Sequence, residues 1–210
     1  MPKIAPFDNY YKDYERWFEE NKFAYLSELK AIKHFIPEGK EGVEIGAGSG
    51  RFALPLGIKV GIEPSSKMGK LATQRGMKIY NGVAENLPLR EESFDFALMV
   101  TTICFLDDIE KSFQEVYRIL KWDSSFIIGF VDKDSPMGKT YLKKSKRNKF
   151  YKLAHFYSTP EVIILLNQTD FFQVEVIQTL FTDLPQSVKS IHNWKKGFGK
   201  GGFVVVKAFK

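Results

Sequence analysis

The densest chemical pattern in the chain is Glu44-Ile45-Gly46-Ala47-Gly48-Ser49-Gly50, where alternate glycines leave a short apolar, strand-like run. Glycine at such a place lets the backbone turn sharply and approach a ligand where a Cβ would collide. A second acid, Glu63, ends the next strand-like run, 13 residues past Gly50. A carboxylate at that strand end faces the crevice of an α/β sheet and can accept both hydroxyls of a ribose. A glycine cluster alone is equally well a tight turn. Strand, glycines, short helix, strand and terminal acid in that order give the ligand reading its weight. Two registers are open. Gly48-Ser49-Gly50-Arg51-Phe52-Ala53 fits the dinucleotide spacing G-x-G-x-x-A. From Gly46 the spacing is G-x-G-x-G with an acid two residues ahead. Glu44 would repel a pyrophosphate and attract the ammonium group of an amino-acid ligand, which favours the second register.

The elements that must position these residues alternate. Strand-like runs at 43–45, 60–62, 78–80, 94–100 and 126–131 are interleaved with helix candidates near 66–75 and 108–120. The second candidate aligns Ile109, Phe113, Val116, Tyr117 and Leu120 in one stripe, with Asp107 and Glu110 spaced as a capping box. Ahead of them, Tyr10, Tyr14, Trp17 and Phe18 share one helical face, and a further helix is predicted over 25–35, stopping before Pro37 and Gly39. After Val131 the rhythm breaks. Thr159, with Pro160 at the first helical position, caps a helix running to about Asn167. Strand-like runs at 172–181 and 203–209 close the chain with no helix between them, which predicts an antiparallel finish. The fold class is therefore α/β: a doubly wound, mostly parallel seven-stranded sheet with an antiparallel C-terminal hairpin and an N-terminal helical cap. One domain is expected, with 1–36 as cap, 37–132 as cofactor-binding core, and 133–210 as substrate-side insertion and terminal strands.

Composition narrows the classes. The 210 residues are 44% hydrophobic, 27% charged and 15% aromatic, which is globular composition and not that of a disordered chain. The single cysteine, Cys104, excludes an internal disulfide and a multi-cysteine zinc site, and His34, His155 and His192 are too scattered for metal-ligand spacing. No metal is expected. No apolar run reaches a membrane span, and two early prolines do not suit a signal peptide, so the cytosol is the default address. The net charge of +6 is uneven: 133–152 carries eight Lys/Arg against one acid, and 189–210 carries six Lys and no acid. Localised basic charge is compatible with an acidic partner but does not assign one.

Taken together, the motifs resemble the S-adenosylmethionine-dependent methyltransferases with the seven-stranded Rossmann-like fold, close to their small-molecule group. The likeness covers about 42–131 and returns in the last two strands. Val43 to Gly50 is similar to that family's glycine motif, and Val60-Gly61-Ile62-Glu63-Pro64-Ser65 to its ribose-acid motif. Ala84-Glu85-Asn86-Leu87-Pro88 resembles the loop that wraps adenine. Ser93-Phe94-Asp95 resembles the start of the fourth strand, and Glu115 to Lys121 the end of the next helix. The resemblance implies S-adenosyl-L-methionine as cofactor. Glu44, Gly46, Gly48 and Gly50 would hold its methionine part, Glu63 the ribose, and Met68, Ala84, Glu85 and Leu87 the adenine region. Ala47, Pro64 and Thr101 complete the cofactor-side set. Two departures stand out: Val83 replaces the family's usual Asp before the Ala-Glu pair, and Trp122-Asp123-Ser124 replaces its Pro-Gly-Gly turn.

Methyl transfer from a sulfonium is an in-line displacement, accelerated by alignment and exclusion of water. A general base is required only when the acceptor must lose a proton near the transition state. Thr101-Thr102-Ile103-Cys104 lacks both the Asn/Asp-Pro-Pro-aromatic motif of the nucleic-acid amino methyltransferases and the Pro-Cys of the pyrimidine-carbon enzymes. Cys104 is expected to be buried and not catalytic. On the acceptor side, Tyr14 and Trp17, with Tyr10, either pack on the sheet or form an aromatic lid over cationic groups. His155 and Tyr157 are further candidates, His155 as a base titrating near neutrality. Lys143, Lys144, Lys146 and Arg147 read as a solvated helix face, with an RNA patch as the rival. The expected function is methyl transfer to the N or O nucleophile of a small-molecule acceptor, with no membrane partner. The alternatives are an RNA or protein methyltransferase using the basic segment, and a cofactor-binding module without catalysis.

Overall fold

Short runs rich in Val, Ile and Phe form the centre of the molecule because both of their faces are covered, so each residue type favours extended, buried backbone. The computed structural model describes residues 3–210. Its parallel strands are β1 (Gly42–Ile45), β2 (Val60–Ile62), β3 (Lys78–Tyr80), β4 (Phe94–Val100) and β5 (Leu120–Val131). Antiparallel strands β6 (Phe172–Thr179), β7 (Lys195–Lys196) and β8 (Phe203–Phe209) finish the sheet, in the order β3-β2-β1-β4-β5-β8-β6-β7. The seven expected strands are present, and the two-residue β7 adds a pair to β6 at the outer edge.

Helices flank the sheet: α1 (Ala5–Asn9), α2 (Tyr11–Glu20), α3 (Lys22–Lys33), α4 (Ser66–Gln74), α5 (Ile109–Ile119), α6 (Pro136–Ser145) and α7 (Thr159–Gln168). Alternation along the strands divides the core between two faces. Leu98, Val100, Ile127 and Val205 pack with Ala31 and Ile32 of α3, whereas Ala97, Met99, Ile128 and Val206 pack with Phe113 and Val116 of α5 and Leu166 of α7. Among the described residues, no helix is long and apolar enough to cross a membrane.

Several boundaries differ from the sequence expectation for visible reasons. Asp108, not Asp107, caps α5: its extended backbone lets the carboxylate accept the Lys111 N–H at 3.0 Å. Ser158, not Thr159, caps α7, in a reciprocal box with Glu161. The Thr159 hydroxyl is occupied elsewhere, donating to Asp132 Oδ2 at 2.6 Å. β5 starts at Leu120, which pairs with Phe94, and a register shift between Phe94 and Phe96 absorbs the turn at Asp123 (φ 57°). α3 starts at Lys22 because only Asn21 separates it from α2.

Candidate active site

A cavity of about 390 Å³ opens where the strand order reverses, between β1 and β4. Ligands of open α/β sheets bind at this kind of switch point, outside the carboxyl ends of the strands. The lining follows that rule. Gly46 and Gly48 come after β1, Glu63 and Pro64 after β2, Gly82 to Glu85 after β3, Thr101 and Thr102 after β4, and Val131 ends β5.

The glycine loop is shaped by close approaches that a side chain would block. Gly46 has φ 71°, and a Cβ there would lie 2.5 Å from Thr102. Gly48 has φ 55°, and a Cβ there would lie 3.3 Å from the Tyr14 hydroxyl. Gly50 and Ala47 serve the fold instead. A Cβ on Gly50 would meet Met77 Sδ at 2.7 Å, while Ala47 is buried against Gly61 of β2. Glu44 also lies beneath the loop rather than in the cavity: it is 1% exposed, and its Oε2 accepts the Ala53 N–H at 3.0 Å. Burial drives its carboxyl well above the usual range, partly opposed by that hydrogen bond. Glu44 thus braces the turn that follows the glycines.

Glu63 does face the cavity. Its Oε2 accepts the Gly48 N–H at 2.7 Å and its Oε1 the Ser65 N–H at 2.8 Å. Each carboxylate oxygen has a second lone-pair direction, so two donors from a ligand can still be accepted. Burial raises the group to about 7 against the pull of those two N–H donors. Met68, 1% exposed, contributes its side chain to the wall beside Gly48, and Ala84 lines the opposite loop. Glu85 lines the cavity while its Oε1 accepts the Asp107 and Asp108 N–H groups ahead of α5. Leu87 is buried below this wall, with its N–H donated to Glu115. Thr101 lines the cavity at φ 50°, an uncommon conformation for a β-branched residue, at the end of β4. Val83, where an Asp was the family expectation, also faces the cavity.

The roof comes from distant segments. Phe7 of α1 packs between Phe105 and Phe150, with ring centroids 5.0 and 5.7 Å away, and Tyr14 of α2 lies 5.9 Å from it. Tyr14 and Trp17 line the cavity, whereas Tyr10 lies half exposed under Lys149 Nζ at 4.6 Å. Lys149 pairs with Asp13, fastening the basic insertion to α2. Glu15 fastens α2 to the glycine loop through Ser49, Arg51 and Arg75. Asp8 accepts the Ser65 hydroxyl at 2.6 Å.

His155 and Tyr157 lie elsewhere. His155 is exposed, donates its backbone N–H to Cys104 O at 2.8 Å and packs on Tyr157; neither side chain reaches the cavity. Cys104 is 8% exposed, and burial pushes its thiol up to about 12. Lys143, Lys144, Lys146 and Arg147 point to solvent. The far end of the cavity is built by Glu28, Tyr141 and Tyr151, none of which sequence reasoning had singled out. For Glu28 a signal existed: Ala24, Glu28, Ala31 and Ile32 share one helical face, so an acid interrupts an apolar stripe.

The pattern of the family described as "Methyltransferase domain" matches residues 43–128. The uncharacterized protein MJ1123 of Methanocaldococcus jannaschii is 42% identical over 204 residues, 97% of this chain and 98% of that protein. A Thermotoga maritima crystal structure, described as a "SAM-dependent methyltransferase, possible histamine N-methyltransferase", is 49% identical and superposes with a TM-score of 0.96, covering 99% of each chain. The protein described as "the putative methyltransferase" in complex with the Haloferax volcanii Trm112 methyltransferase activator, at 16% identity, shares the fold, with a TM-score of 0.73 over 100% of this chain and 98% of that one. Near-complete coverage at such identity extends the likeness past the glycine loop to the cap and the insertion, and the chain belongs to the S-adenosylmethionine-dependent methyltransferases.

Proposed function

We propose that this enzyme methylates a small-molecule acceptor, through a nitrogen or oxygen nucleophile, inside the cavity described above. The roof over that cavity carries the reading. α1, α2 and the segment around Lys149 to Tyr151 roof the strand ends, and the 390 Å³ beneath must hold both reactants. Small-ligand sites typically span roughly 300–1,000 Å³, whereas an RNA or protein substrate would have to pass a single base or side chain beneath this roof.

S-adenosylmethionine fits the donor set. Gly46 and Gly48 form a cradle that a Cβ would fill, and Glu63 keeps lone pairs free for a diol. The cofactor supplies a methyl group on a sulfonium, open to in-line attack by a lone pair. Gly46, Gly48 and Thr101 would bound its methionine part, Glu63 and Pro64 its ribose, and Met68, Ala84 and Glu85 its adenine region. Glu44, Ala47, Gly50 and Leu87 would act indirectly, by holding those contact residues in place. Tyr14, Trp17 and Phe7 would exclude water and orient the acceptor, which is where most acceleration of such a displacement arises. The likeness to the Thermotoga protein, described as a "possible histamine N-methyltransferase", supports a nitrogen acceptor over an oxygen one.

The test is a calorimetric titration with S-adenosylhomocysteine, followed by methyl-transfer assays on small amines, small alcohols, RNA and protein. Binding by the wild type, weakened roughly 10- to 100-fold in Glu63→Ala, is the expected result. Methylation of RNA or protein, with every small acceptor inert, would overturn the small-molecule reading.

A further inference from the structure

The far end of the cavity holds a group with no assigned work. Glu28 sits in the middle of α3, is 5% exposed and lines the cavity. Among the described residues its carboxylate has no hydrogen-bond or ion-pair partner. Its oxygens are reached only from the cavity, and a carboxylate in so apolar a recess is poorly hydrated, which is costly for the charged form. The strands beneath α3 offer no relief: they present Ile127, Ile177 and Val205 to it. Burial is the sole influence on the group's proton affinity and raises it to about 8.

The ionisable groups on which Glu28 acts electrostatically are Tyr25 of α3, Tyr141 of α6 and Tyr151. Burial pushes all three phenols above their ordinary value, so each stays neutral. Tyr141 and Tyr151 stand 5.4 Å apart, ring to ring, and also line the cavity. Glu28 thus occupies an aromatic-walled recess with no cation in it. An unsatisfied acid in such a recess is complementary to a ligand that brings the missing charge, and aromatic walls add their own attraction for a cation.

We propose that Glu28 is the acceptor-recognition group of this enzyme and selects a small primary or secondary amine, binding its ammonium between the carboxylate and the rings of Tyr141 and Tyr151. This rests on the small-molecule reading above and names the substrate class. The pair formed is neutral overall, which the apolar recess favours over an isolated charge. Within it, one N–H proton passes from the ammonium to a Glu28 carboxylate oxygen. The N–H bond breaks, an O–H bond forms, and the nitrogen keeps the electron pair that methyl transfer requires. An alcohol of the same shape brings no charge and gains none of this.

The experiment loads the protein with S-adenosylhomocysteine and titrates histamine, phenethylamine and 2-phenylethanol by calorimetry, in buffers of differing ionisation enthalpy. The wild type should bind at least one amine about tenfold or more tighter than the alcohol. Because empty Glu28 holds a proton below its raised value, amine binding at about pH 6.5 should release close to one proton. Glu28→Gln should bind S-adenosylhomocysteine as the wild type does, bind the amine about 30-fold more weakly, and release no proton. Failure of the wild type to bind S-adenosylhomocysteine sinks the reading of the site itself. Normal cofactor binding with no affinity for either amine, or with amine and alcohol bound alike, overturns the role of Glu28 alone. So does a Glu28→Gln variant that keeps full amine affinity. Should that variant lose cofactor binding, the amine–alcohol contrast and the proton release of the wild type decide.

Discussion

Replacing Glu15 with Ala cuts the fastening between the helical cap and the glycine loop. The Glu15 carboxylate, 17% exposed, accepts from Ser49 Oγ, from Arg51 Nε at 3.0 Å and Nη2 at 2.7 Å, and from Arg75. Removal leaves two guanidinium groups without their shared anion. Arg51 and Arg75 are 24% and 33% exposed, so water recovers part of the loss and the penalty falls short of that for a fully buried pair. One hydrogen bond to a charged group contributes about 1.5–3 kcal/mol, and partial exposure keeps the several made here from adding, so a loss of about 2 kcal/mol is expected. For a chain of this length that lowers the Tm by roughly 4–8 °C.

The pH dependence identifies the cause. Burial alone would raise the Glu15 carboxyl, but the hydrogen bonds from Arg75, Ser49 and Arg51 outweigh it and hold the group below its ordinary 4.5. A depressed folded value means that the stabilisation is present above the unfolded value and disappears as pH falls through the folded one. Urea denaturation of wild type and Glu15→Ala should therefore differ at neutral pH and converge in strong acid. Hydrogen exchange should rise in Tyr11–Glu20 and leave β4 and β5 unchanged. A stability loss under about 0.5 kcal/mol with unaltered exchange in α2 would show that the cap is held by its aromatic packing, and the clamp argument would fail.

Glu28 gives a second acid–base test, of opposite sign. Its folded value of about 8 exceeds the unfolded one, so its contribution to stability is present below about 4.5 and lost as pH rises through 8. Without S-adenosylhomocysteine, the melting temperature of Glu28→Gln relative to wild type should climb between pH 5 and 9, both values approximate, and a constant difference would contradict the burial account. Cys104→Ser should retain most turnover, because the thiol is neutral and outside the main cavity. Loss of several orders of magnitude in a folded variant, with a trapped adduct in the wild type, would require covalent chemistry at sulfur. Changing Lys143, Lys144, Lys146 and Arg147 together to Gln should leave turnover on a small acceptor within about threefold, since exposed charges contribute little. Inactivation toward an RNA substrate, with cofactor binding intact, would instead make this segment a phosphate-binding surface.

The two halves of the cavity were unequally legible, and the reason is the range of the interactions that build them. Gly46, Gly48 and Glu63 belong to one strand–turn–strand unit, so spacing along the chain fixes where they lie in space. Even there, pattern and contact diverge. Glu44 and Gly50 belong to the same motif, yet one holds the Ala53 N–H and the other makes room for Met77. The capping errors at Asp107 and Thr159 were shifts of one residue, decided by which neighbouring side chain was already engaged, as Thr159 is with Asp132. The other half draws Glu28, Tyr141 and Tyr151 from three segments that meet only after the sheet has formed, so no local spacing announces them. His155 illustrates the converse: its chemistry is versatile, and the fold leaves it in solvent. A residue type therefore says less than its conflict with its surroundings. Glu28 interrupts the apolar face shared by Ala24, Ala31 and Ile32, a position where a helix ordinarily carries Leu or Ala. Such a conflict persists only when something offsets its cost, and among the described residues Glu28 finds no hydrogen-bond or ion-pair partner; a bound proton is one offset, as its value raised to about 8 records. An ammonium entering the cavity would be another, and under the role proposed for Glu28 the acid on the apolar stripe indicates the substrate more directly than any motif.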